Sequence, residues 1–168
     1  MDGLKLRVCD LIQDSIVDGI GLRFVVFLQG CELNCPDCHN PQTHDLNGGY
    51  LITIEELLEQ IDKNPLLRGV TISGGEPFLQ AENAAVLARF VRERGLDVWC
   101  WTGKTWEELT KPDAPPEWGL LLEQADILVD GPYVTEKRTL ALPWRGSSNQ
   151  RVIDAQASLE SGKVVKFL

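Results

Sequence analysis

Three cysteines within eight residues constrain this chain more than any other feature. In Gly30-Cys31-Glu32-Leu33-Asn34-Cys35-Pro36-Asp37-Cys38-His39-Asn40-Pro41 the thiols are spaced C-x3-C-x2-C. Thiolates this close can converge on one soft metal centre, and an iron–sulfur cubane held by only three protein ligands keeps one iron open for a further ligand. The alternative is a closed zinc site built from Cys31, Cys35, Cys38 and His39, in which neighbouring ligands at 38 and 39 make a tetrahedron awkward. Such a loop works best at the end of a buried strand, where a rigid element holds it and its open face stays accessible.

The remaining cysteines agree with reduced thiols and a metal. Five is an odd number, and three of the five sit in one motif, unlike the even, dispersed pattern of a secreted disulfide framework. Cys9 and Cys100 lie in the apolar runs Leu6-Arg7-Val8-Cys9 and Val98-Trp99-Cys100-Trp101 and read as small buried hydrophobes. With 168 residues, one domain spanning 1–168 is expected, large enough to bury a core without staples. There is no apolar run of the roughly 18 residues a membrane helix needs, and Met1-Asp2-Gly3-Leu4-Lys5 opens no signal peptide, so the expected location is cytoplasmic. A net charge of −9 argues against nucleic acid or an anionic membrane as the main partner.

Along the chain, residues 4–16 read as an irregular strand, Gly19-Ile20-Gly21 as a turn, and Leu22 to Leu28 as a strand that feeds the cysteine loop. The loop is expected to run through Pro41 to Asn47-Gly48-Gly49. Thr53-Ile54-Glu55-Glu56 is a capping box, and the helix it opens keeps Leu57, Leu58 and Ile61 on one face before Asn64-Pro65. Gly69 to Ser73 is a short buried strand that ends in Gly74-Gly75-Glu76-Pro77. A helix over 80–93 with Gly95 as its cap follows, then a strand over 96–101 ending in Thr102-Gly103. Thr105 caps a short helix, another spans about 117–124, and the strand 125–130 ends in Asp130-Gly131-Pro132-Tyr133. Arg151 to Asp154 and Lys163 to Phe167 read as two last short strands.

Strands alternating with helical patterns predict an α/β fold with an open, mainly parallel sheet. Four candidate sites then fall at the carboxyl ends of strands: the cysteines, Gly74-Gly75-Glu76-Pro77, Thr102-Gly103 and Asp130. That edge is where α/β folds bind ligands. Trp99 and Trp101 alternate along one strand and should share a face. The segment holding Arg138, Trp144, Arg145 and Arg151 has the composition either of solvated surface or of an interface. His39 and His44 read as solvated loop histidines rather than acid–base groups.

The cysteine loop after one strand and Gly-Gly-Glu-Pro at the end of the next resemble the radical S-adenosylmethionine (SAM) enzymes. Val129-Asp130-Gly131-Pro132-Tyr133 and Trp144-Arg145-Gly146-Ser147-Ser148-Asn149-Gln150-Arg151 are similar, more narrowly, to the activating proteins of anaerobic ribonucleotide reductase. The resemblance covers nearly the whole chain and implies a partial (βα) barrel with helices outside. It further implies that Cys31, Cys35 and Cys38 hold a [4Fe-4S] cluster whose fourth iron is chelated by SAM, with no catalytic residue beyond cluster and SAM. One electron would cleave SAM to a 5′-deoxyadenosyl radical, which would take hydrogen from a glycine of the reductase. The implied partners are that reductase and a low-potential electron donor such as flavodoxin or ferredoxin.

The same resemblance assigns SAM contacts. Gly74 and Gly75 lack side chains and let backbone approach the methionine part. Glu76 would fix the ammonium group or the loop around it, and Pro77 would stiffen the turn. Thr102 would line the ribose side and Asp130 would add a contact. Where some relatives carry an apolar residue before the third cysteine, this chain has Asp37. A carboxylate cannot stack, so contacts of Asp37, Cys38 and His39 with adenine would run through backbone. Two rivals are carried alongside: a radical SAM enzyme acting on a small molecule, like carboxy-deazaguanine synthase, and the structural Cys3His zinc module.

Overall fold

Val, Phe and Leu fill the run Phe24-Val25-Val26-Phe27-Leu28, and a strand buried on both faces is what such a run favours. In the computed structural model, which describes residues 3–33, 35, 36, 38 and 41–168, this is β2 (Arg23–Leu28), a central strand of one sheet. Its companions are β1 (Lys5–Ser15), β3 (Tyr50–Thr53), β4 (Gly69–Gly74), β5 (Asp97–Trp101), β6 (Ile127–Asp130) and β7 (Arg151–Asp154). The order across the sheet is β3-β1-β2-β4-β5-β6-β7. β2, β4, β5 and β6 run parallel, while β1, β3 and β7 join antiparallel at the flanks. The expected α/β architecture with a mainly parallel sheet is therefore present, and β1 carries the irregularity read from its sequence as breaks in register between Val8 and Asp10 and between Ile12 and Ser15.

Helices α1 (Ile54–Asp62), α2 (Ala81–Glu93), α3 (Trp106–Leu109), α4 (Pro116–Gln124) and α5 (Ala155–Ser161) lie between or after the strands. The Thr53–Glu56 capping box forms as expected: the Glu56 N–H donates to Thr53 Oγ1 at 3.1 Å and the Thr53 N–H to Glu56 at 2.9 Å. All five helices bury their apolar residues in one cluster with Val26, Leu28, Val70, Ile72, Val98, Cys100 and Leu128. The alternate residues Trp99, Val129 and Val152 form a smaller cluster on the opposite face of the sheet. With every helix on one face, the other is left to line a cavity.

Two elements differ from expectation. β3 has no counterpart in the sequence reading, because Tyr50 and Leu51 are exposed on an edge strand and show no alternation. α5 fills the stretch left unassigned between the two last expected strands: it is about two turns long, capped by Asp154 and stopped by Gly162 at φ 76°, and the expected strand 163–167 shrinks to a bridge between Ile153 and Lys166. Among the described residues, no helix is long and apolar enough to cross a membrane.

Candidate functional site: a cysteine-lined cavity at the carboxyl edge of the sheet

The cysteine loop leaves β2 under tight backbone control. The Gln29 N–H donates to Arg7 O at 2.9 Å, the Gly30 N–H to Thr43 O at 2.6 Å and the Cys31 N–H to His44 O at 3.4 Å, so departing and returning limbs are laced together. Gln29, itself buried, donates its amide to Gln42 O and Asp45 O at 3.1 and 2.7 Å, and Gln80 reaches across to Gln29 O at 3.2 Å. Farther out, the Cys38 N–H returns to Cys35 O at 3.2 Å, and Thr135 Oγ1 donates to Pro36 O at 3.2 Å. Cys31, Cys35 and Cys38 are all partly buried and line one cavity of about 850 Å³ with Ser73, Gly74, Gly75, Thr102, Gly103 and Gly131.

The glycine pair is required by the cysteine loop itself. Gly74 has φ 97°, a conformation other residues rarely adopt, and a Cβ on Gly75 would collide with the Gly30 carbonyl. Without side chains, the end of β4 lies flat against the loop: Gly75 N–H donates to Leu28 O and Glu76 N–H to Gly30 O, both at 2.8 Å. Glu76 is buried and accepts from Thr102 Oγ1 at 2.8 and 2.9 Å, from the Gly103 N–H at 2.8 Å and from the Phe78 N–H at 3.0 Å. Burial pushes its carboxyl above the ordinary value, against the pull of those donors and of Lys104. Glu76 therefore ties the end of β4 to the end of β5, and Pro77, buried, starts the 3-10 turn Pro77–Gln80. Thr102 faces the cavity, but its hydroxyl is given to Glu76 and accepts the Lys104 N–H at 3.0 Å.

Asp130 is placed differently from the other strand-end residues. Its carboxylate accepts from Arg151 Nη2 and Nε at 2.5 and 3.0 Å and from the Trp106 N–H at 2.8 Å, and it is Gly131 that faces the cavity. Arg151 also reaches Glu107 at 2.8 Å, and these two carboxylates, Asp130 foremost, hold its guanidinium proton more tightly than usual. Asp37 and His39 lie outside the described residues. His44 lends its carbonyl to Cys31, while its buried Nε2 has no partner among the described residues.

Several residues that shape the site carried no signal of their own. Gln29 and Gln80 are single glutamines whose partners lie far off in sequence. Trp99 and Trp101 do share a face, stacked at 5.7 Å and 26°, and Trp101 Nε1–H donates to Trp144 O at 3.0 Å. Gln150 accepts the Gly146 and Ser147 N–H groups at 2.9 and 3.2 Å and donates to Gly131 O at 3.0 Å, while Asn149 donates to Pro132 O at 2.8 Å. The cluster of turn-forming residues Gly146-Ser147-Ser148-Asn149 was the visible trace of this brace.

The electrostatics fit an iron–sulfur cluster. Burial raises the Cys31 thiol, a backbone N–H from Leu33 opposes it, and the charges of Glu76, Cys35 and Cys38 raise it further. Cys31 thus sits among acidic groups, the buried Glu76 carboxylate and two further thiols, a site short of positive charge that iron would supply. Among the described residues no group of three His, Cys, Asp or Glu side chains is placed to hold a single metal ion.

A family model described as a 4Fe-4S single cluster domain matches residues 17–153. The anaerobic ribonucleoside-triphosphate reductase-activating protein of Vibrio cholerae serotype O1 is 35% identical over 145 residues, covering 81% of this chain and 90% of that protein. Its namesake in Escherichia coli K12 is 32% identical over 147 residues, with 82% and 92% covered. That of Enterobacteria phage T4 is 33% identical over 155 residues, with 88% and 90% covered. The crystal structure of QueE from Escherichia coli aligns with a TM-score of 0.47 at 18% identity, over 60% of this chain and 54% of that one, a likeness too slight to add to the reading.

Proposed function

The chain belongs to the 4Fe-4S single cluster domain family and to the anaerobic ribonucleoside-triphosphate reductase-activating proteins, and from that premise we propose that it installs a glycyl radical on such a reductase. Its cofactors are a [4Fe-4S] cluster and SAM. Together, when bound and given one electron, they supply a 5′-deoxyadenosyl radical that removes a hydrogen atom from a glycine. A low-potential donor such as flavodoxin or ferredoxin provides that electron.

The residues divide the work as follows. Cys31, Cys35 and Cys38 would hold the cluster, and three protein thiolates would leave room for SAM to bind to it. Gly74 and Gly75 present bare backbone to the methionine part, and Glu76 and Thr102 act as positioning residues that lock the ends of β4 and β5 around it. Asp130 acts through Gly131, whose backbone faces the cavity. Phe27, Leu33 and Trp101 give the walls apolar surface that keeps water from a reactive radical.

The observation that carries this reading is that the three cysteines, the glycine pair and the ends of β5 and β6 line one cavity at the carboxyl edge of the sheet. The test is anaerobic reconstitution with iron and sulfide, followed by assay of reductant-dependent SAM cleavage and of the glycyl radical by electron paramagnetic resonance. Cys35→Ala is expected to lose iron, sulfide and cleavage together, while Cys9→Ala keeps all three. Stable zinc stoichiometry without cleavage would overturn the reading, and cleavage with no radical on any reductase would point to a small-molecule substrate.

A further inference from the structure

The cavity wall also includes two segments that have no part in the roles assigned above. One is the turn after β1, where Val17 lines the cavity mouth and is 74% exposed. The other is the stretch 138–146, which contributes Arg138, Leu140, Trp144 and Arg145 to the wall, with Leu140 90% exposed. Apolar side chains held out to solvent at the mouth of a cavity mark a surface that meets something else. The two arginines stand out because the chain as a whole carries −9. Asp18, also at the mouth, has its carboxylate turned to the Ser15 hydroxyl at 2.5 Å.

This rim is preformed. Trp144 sits at φ 58°, a left-handed conformation that costs energy for a non-glycine residue and persists only where its surroundings impose it. Here its ring meets Trp99 edge-on at 5.0 Å and its carbonyl takes the Trp101 indole N–H at 3.0 Å. Gln150 and the bridge between Arg138 and Ser147 brace the two limbs of the segment. A rigid apolar and basic rim around the opening that a glycine must enter suits a protein segment arriving from outside.

We propose that Val17, Arg138, Leu140 and Arg145 form the docking surface for the glycine-bearing segment of the reductase, and that this segment carries an apolar side chain and acidic groups beside the glycine. The proposal rests on the activase reading. Elsewhere on a chain of charge −9 an acidic segment is repelled, so the arginine rim steers it to the cavity mouth and fixes its register.

The test uses the reconstituted protein with its reductase and two double variants, Val17→Asp with Leu140→Asp and Arg138→Glu with Arg145→Glu. Each is expected to bind the reductase at least about tenfold more weakly in calorimetric titration and to lower the yield of glycyl radical, while reductant-dependent SAM cleavage without reductase stays unchanged. The paired arginine-to-lysine variant keeps most of the binding, and raising salt weakens the wild type more than the charge-reversed protein. Variants that bind and form the radical as well as the wild type overturn the proposal. So does loss of SAM cleavage without reductase, which would move the rim into the cofactor pocket. A wild type that neither cleaves SAM nor forms a glycyl radical refutes the activase reading itself, a separate result.

Discussion

Glu76 and Asp130 end two parallel strands, are each only 1% exposed, and are satisfied in opposite ways. Asp130 has a cation of its own: Arg151 clasps it through two nitrogens, and the pair is closed off from the cavity. Glu76 meets hydroxyl and backbone donors only, and its charge is felt by Cys31 a strand away. A buried carboxylate with its own arginine is a structural rivet. Glu76 has no ion-pair partner among the described residues, only the weaker pull of Lys104, and burial raises its carboxyl beside the thiol of Cys31. Two strand ends on either side of β5 thus hold buried carboxylates by different means, and the difference lies in whether an arginine is bonded to the carboxylate.

The sharpest way to break this contrast is Arg151→Ala. It strands Asp130 as an unpaired buried charge, and about 3–5 kcal/mol of stability should be lost. Urea unfolding under anaerobic conditions measures it, and a midpoint close to the wild type would mean that Asp130 finds water instead. Arg151→Lys recovers only part, because an ammonium cannot reproduce the two-nitrogen grip.

The second is Glu76→Gln. An amide offers one acceptor oxygen to donors that now meet two, so a buried N–H is left unpaired at a cost of about 1–3 kcal/mol. This cost depends on pH. Because burial raises the folded pKa of Glu76, the stability it contributes is complete below its ordinary value of 4.5 and declines as pH rises through the folded value. The gap between wild type and variant should therefore be wider at pH 4.5 than at pH 8, and a gap that grows with pH would contradict the raised pKa.

This contrast shows which parts of the site could be read in advance. Cys31, Cys35, Cys38, Gly74-Gly75-Glu76 and Thr102-Gly103 are short runs of unusual residue types at strand ends, so their chemistry is local and visible. The Thr53–Glu56 capping box is visible for the same reason. Arg151 as the partner of Asp130 was not, since nothing at position 151 distinguishes a rivet from a surface arginine until β7 is paired beside β6. Gln29 and Gln80 escaped likewise, because their roles exist only once β1, β2 and the returning loop are brought together. β3 and α5 were missed because an exposed edge strand and a seven-residue helix bury too little to imprint a period on the sequence.

A smaller effect separates the two halves of the Glu76 clamp. Thr102→Val keeps shape but removes the hydroxyl that joins Glu76 to the Lys104 N–H, leaving two backbone donors on the carboxylate. About 1–2 kcal/mol is expected, together with weaker SAM binding in equilibrium dialysis if the clamp sets the geometry of the cavity edge. Stability lost with SAM affinity intact would confine Thr102 to folding.

Smallest of all should be Glu107→Gln. Glu107 shares Arg151 with Asp130 at a distance of 2.8 Å, so geometry alone would rank it nearly equal to the buried pair. Its side chain is 62% exposed, however, and Asp130 remains to hold the guanidinium. Water and salt already screen it, and at most about 1 kcal/mol should be lost, vanishing in high salt. Arg151→Ala should keep its large cost in the same salt, because screening ions do not reach a buried carboxylate. Comparable losses for Glu107→Gln and Arg151→Ala would relocate the rivet from the buried strand end to the surface of α3, and with it the reason Asp130 was set apart from Glu76.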